Sequence, residues 1–147
     1  VARMKKKDIE RKKLRKWVKD IQYAFCLDNW SLSFRFVEAD RSAVGAVAEM
    51  TTQHEYLSMN LIIYRDYFET PECDQFENLI HEFSHVLTAE TVSIAQDLAS
   101  GKLIHLDLIG RANERSTSLT ARMALSMMKN TKLQKIWNKC GNTYTST

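Results

Sequence analysis

The chain has 147 residues, 44% of them hydrophobic, which is enough for one real core and leaves little room for a second. Its net charge of +3 is uneven: residues 1 to 20 carry ten Lys or Arg against Asp8, Glu10 and Asp20, so the remainder nets −4. No apolar run approaches a membrane span and no signal-peptide core follows the charged start, and the scattered Cys26, Cys73 and Cys140 form no CxxC pair. These features argue against a membrane-spanning or disulfide-built protein and predict one that works in a reducing cytoplasm.

In chain order, Leu14, Trp17, Val18, Ile21 and Phe25 fall at helical spacing and predict an amphipathic helix over 5–25 with a strongly basic outer face. "WSLSFRFVEA" alternates, with Leu32, Phe34 and Phe36 on one side, and predicts a strand. "GAVAEMTTQ" and "EYLSMNLIIY" predict two more, the second apolar enough after Leu57 to lie inside a sheet. Thr70-Pro71 reads as a helix start with a hydroxyl cap, and Asp74 with Glu77 offers a second start one turn later. Phe76, Leu79, Ile80, Phe83 and Leu87 then form an apolar stripe. "KLIHLDLI", bracketed by Gly101 and Gly110, is ambiguous in type. A helix over 111–129 follows, then a short one carrying Leu133, Ile136 and Trp137, and residues 140–147 read as a loose tail. The expectation is a single α+β domain over residues 1–147 with a sheet of three or four strands.

The chemistry concentrates in "NLIHEFSHVLTAE", residues 78–90. His81 and His85 are four apart on a helix, so their rings leave one face about a turn apart, a spacing that lets two imidazoles bind one tetrahedral zinc. Glu82, beside the first histidine, can reach a water at such a metal and act as general base, which is the HExxH arrangement. By this chain's composition the pattern would arise by chance in roughly 1 of 140 such chains, and the bland alternative is a surface histidine pair beside a solvated glutamate.

A catalytic zinc needs a third protein ligand. Glu90 would lie more than a turn beyond His85 on a continuing helix, Asp97 requires the helix to break near Thr91, and His105 sits among leucines. Glu114, at the start of the next strong helix beside Asn113, is the best of the four.

"HEFSH" followed by "NERSTS" resembles the gluzincin metallopeptidases, and the order helix, sheet, metal helix, glutamate helix is similar to a minimal zincin core of the phage or mobile-element kind. The resemblance implies His81, His85 and Glu114 as ligands of one zinc ion, Glu82 as the catalytic base, and hydrolysis of a protein or peptide substrate. The specific match covers about residues 78–90 and 110–123. Where that family usually places an Asp four residues after the ligand Glu, this chain has Ser118. The oxyanion donor such a site requires is open among His105, Arg111, Arg115 and Tyr144. "AVAEMTTQHEY" is the expected edge strand for an extended substrate, with His54 and Glu55 in a solvated turn.

The nine Lys or Arg of residues 5–19 suit phosphate binding to nucleic acid, but no exposed aromatic residues interleave with them, so a merely solvated helix face is the favoured reading. A zincin-fold protein with little catalysis, acting through protein or DNA association, is the alternative function.

Overall fold

The computed structural model of the chain describes residues 2–38 and 47–141. Helix α1 spans Ala2–Ala24, and strands β1 (Ser31–Val37), β2 (Ala48–Gln53) and β3 (Ser58–Tyr64) follow. Helix α2 runs Glu72–Ala99, α3 Leu106–Lys129 and α4 Thr131–Gly141. This is the expected α+β class, with four α-helices and a three-stranded mixed sheet among the described residues. Gly45, where the second expected strand begins, and Tyr144 with residues 142–147 of the tail lie outside the described residues.

The sheet order is β1-β3-β2, with β3 parallel to β1 and antiparallel to β2. The apolar run of β3 is therefore central, as its composition predicts, and β2 is an edge strand. Alternation sorts the faces. Leu32, Phe34 and Phe36 of β1, Met59, Leu61 and Ile63 of β3, and Ala48 and Met50 of β2 pack toward the helices. The other face carries polar pairs such as Ser33 Oγ donating to Asn60 Oδ1 at 2.8 Å.

Helices α1 and α2 lie over the apolar face because their stripes match it. Leu14, Trp17, Val18, Ile21 and Phe25 of the first expected stripe are all buried. Trp17 meets Phe76 edge-on with centroids 5.4 Å apart, and Phe25 meets Phe83 at 5.9 Å. Leu133 of α4, fully buried, closes one end of the core. No described helix is long and apolar enough to cross a membrane.

Two local expectations change, and the condition on Asp97 is not met. Helix α2 starts at Glu72 with Pro71 in the cap position, and no side chain caps it. The Thr70 hydroxyl instead donates back to Tyr67 O at 2.8 Å, closing the preceding 3-10 turn. The helix also runs without a break past Thr91, so Asp97 stays on it and pairs with Lys102 at 2.6 Å. The ambiguous segment resolves at His105, whose Nδ1 accepts from Asp107 N at 3.4 Å and caps α3, so that helix begins at Leu106, five residues before its expected start.

Candidate metal centre

Phe83 explains why the two histidines face outward. It is fully buried against Phe25, and His81 and His85 stand two residues to either side of it. At about 100° per residue both lie some 200° round the helix, on the solvent side. Glu82, next to Phe83, points along the flank of the helix and is half-buried against β2.

The imidazoles converge. Their Nε2 atoms are 3.2 Å apart, with ring centroids at 4.8 Å and planes at 90°. Two imidazoles on one tetrahedral ion at about 2.0–2.1 Å have nitrogens roughly 3.3–3.4 Å apart, so the pair is set close to the edge of such a polyhedron. One Nε2–H···Nε2 hydrogen bond would have a similar length. A carboxylate oxygen of Glu82 completes a group whose ligand atoms all lie within 4.8 Å of one another. The donor set, two nitrogens and an oxygen, suits zinc without being specific to it.

Glu82 is held from below by the sheet. Its Oε2 accepts a hydrogen bond from Met50 N at 2.7 Å. That donor is available because of the strand register. Tyr64 N donates to Val47 O, so the odd residues of β2 bond to β3 while the main-chain groups of Ala48, Met50 and Thr52 point to the open edge. Burial raises the Glu82 carboxyl above the usual carboxylate range, the Met50 N–H and the two imidazoles pull it partly back, and the neighbouring Glu49 carboxylate adds to the rise. Glu49 is in turn bonded by the Tyr64 hydroxyl at 2.6 Å. Neither Glu49 nor Tyr64 carries a local sequence signal, because only the pairing of β2 with β3 brings them together.

Glu114 is not in the group. Helices α2 and α3 form an antiparallel hairpin in which Glu90 Oε1 pairs with Arg115 at 2.9 Å and the Thr91 hydroxyl meets Ser116 at 3.2 Å. In that register Glu114 falls opposite residues 91–93, on the order of 10 Å along the axis from His85. It opens instead on a cavity of about 450 Å³ shared with His54, Trp30, Glu90, Arg115 and Arg122. The oxyanion candidates are no nearer by contact: Arg115 is paired with Glu90, Arg111 Nε donates to Asp107 O at 3.3 Å, and His105 is the exposed cap of α3. His54 lies in the one-turn 3-10 helix between β2 and β3, as a solvated turn predicts for Glu55 beside it.

Compared with known proteins, the chain matches no family model, no curated protein and no solved structure.

Proposed function

We propose that the chain is a zinc-dependent metallopeptidase in which His81 and His85 hold the ion and Glu82 is the general base. The observation that carries this reading is the convergence of the two Nε2 atoms at 3.2 Å with the Glu82 carboxylate beside them. A bound zinc would supply a polarised carbonyl and a water acidic enough to attack it near neutral pH. The remaining work belongs to the protein. Glu82, with an affinity for protons raised by burial, takes a proton from the attacking water and returns it to the leaving nitrogen. The open main-chain edge of β2 lies against Glu82, so an extended substrate paired to Ala48 and Thr52 would bring its peptide bond to the carboxylate.

The alternative is a zincin-like protein that binds metal and a partner with little hydrolysis. Two observations favour it: Glu114 is absent from the ligand group, and Glu82 spends one oxygen on Met50 N. Peptide cleavage by zinc-loaded protein, abolished by a chelator, tests the choice. Glu82→Gln is expected to keep the metal and the fold while lowering cleavage at least about 100-fold. Cleavage that survives this substitution removes Glu82 as base, and metal binding without cleavage selects the alternative.

A further inference from the structure

A second edge of the sheet, unpaired among the described residues, lies beside the basic helix. Ser31 N donates to Leu57 O, and from that bond the parallel register directs the main-chain groups of Ser31, Ser33, Arg35 and Val37 into β3. The N–H and C=O groups of Leu32, Phe34 and Phe36 point the other way, and among the described residues no strand pairs with them. Over this edge runs α1, whose Lys12, Arg15, Lys16 and Lys19 are exposed at i, i+3, i+4 and i+7 and so form one stripe. Between helix and edge is a groove of about 630 Å³ lined by Arg15, Lys16, Lys19, Asp20, Leu32 and Phe34 among others.

We propose that this groove binds an acidic protein segment in extended conformation, added as a fourth strand beside β1. The outward edge from Leu32 to Phe36 is about 13 Å long, and the cationic stripe from Lys12 to Lys19 about 10 Å. The two features therefore run over a similar length. An added strand would satisfy the alternating donors and acceptors of β1, and its carboxylates, about 6.6 Å apart on one face, would meet the stripe. Asp20 sits in the groove near Lys19 in sequence and makes the stripe's Lys12–Lys16 end the better seat for carboxylates.

Nucleic acid is the competing occupant. The one aromatic residue among the cations of α1 is the buried Trp17, yet folding brings Phe34 and Phe36 under them. Those rings are already engaged: Arg11 lies 4.5 Å over Phe36, Arg15 5.3 Å over Phe34, and the two rings meet edge-on at 4.9 Å. Base stacking needs a free ring face. Alternating backbone donors and acceptors are likewise matched by a peptide, whereas phosphates only accept.

The test uses the full chain and a fluorescein-labelled peptide alternating Glu with Thr, with fluorescence anisotropy as readout. Its backbone N-methylated counterpart has the same charge but cannot pair as a strand, and an oligothymidylate of equal charge stands for nucleic acid. The parent peptide is expected to bind, the N-methylated one at least about tenfold more weakly. The double variant K16E/K19E, with its fold checked by circular dichroism, should also bind the parent about tenfold more weakly. Amide exchange should slow at Leu32, Phe34 and Phe36 when peptide is bound. Equal binding of both peptides, binding of the oligothymidylate alone, slowed exchange at Ala48 and Thr52 instead, or no binding at all would each overturn the proposal.

Discussion

A histidine pair on a helix becomes a metal site only if something faces the ion from a third direction, and among the described residues the carboxylate grouped with the pair is that of Glu82, not one from α3. The Nε2 atoms converge without help because both side chains lean toward the helix N-terminus from successive turns. Glu114 leans the same way on an antiparallel helix, which carries its carboxylate further from the pair. The expected outcome is therefore specific: His81→Ala and His85→Ala each lose the zinc, and Glu114→Ala retains it, by elemental analysis of purified protein. Zinc lost in Glu114→Ala would mean that α3 slides along α2 when metal binds. HExxH was legible because its three residues sit within one helical turn. Whether Glu114 stands near the pair was not, because that depends on the register of two helices, which is set by pairs such as Glu90 with Arg115 that no spacing rule reveals.

Among the elements, the three strands and their order of burial could be read from alternation and from the apolar run of β3. The helix boundaries were harder to read. The Thr70 hydroxyl, expected to accept from a first amide of α2, instead donates to a carbonyl of the preceding turn, and His105, which sits among leucines in sequence, caps the helix that begins at Leu106. The β2 edge makes a prediction of its own. Thr52 N–H points outward, so proline there removes no bond of the β2–β3 ladder. Thr52→Pro should leave the far-ultraviolet spectrum unchanged and raise KM for peptide substrates while kcat changes little; an unchanged KM would place the substrate elsewhere. A second prediction concerns Glu72, which joins three helices through Lys13 at 2.7 Å and Lys139 at 3.8 Å. Lys13 holds its carboxyl below the usual range. A depressed folded value means that the pair stabilises the protein at neutral pH and that this contribution is lost as pH falls through the folded value. Because the pair is half-exposed, Glu72→Gln should lower Tm by about 2 °C or less at pH 7, and by nothing in acid below that value.

For the molecule as a whole, the site and the core share one helix. Phe76, Leu79, Phe83 and Leu87 bind α2 to α1 and the sheet, so the histidines are held on a frame that exists only when the protein is folded. An ion that binds this frame must stabilise it, since the unfolded chain presents the two imidazoles in no fixed relation. At free zinc about 1,000 times the dissociation constant the gain is about 4 kcal/mol, less whatever zinc the unfolded chain binds through its His and Cys side chains. For a domain of this size that corresponds to a rise in Tm on the order of 10 °C. The shift should vanish in His85→Ala, whose exposed side chain contributes little packing, and should reverse with a chelator. Magnesium, which prefers an all-oxygen octahedron, should not reproduce it. A wild-type Tm that zinc leaves unmoved would reduce HExxH to a histidine pair on a basic α+β domain, and the strand edge beside α1 would then be the better place to look for function.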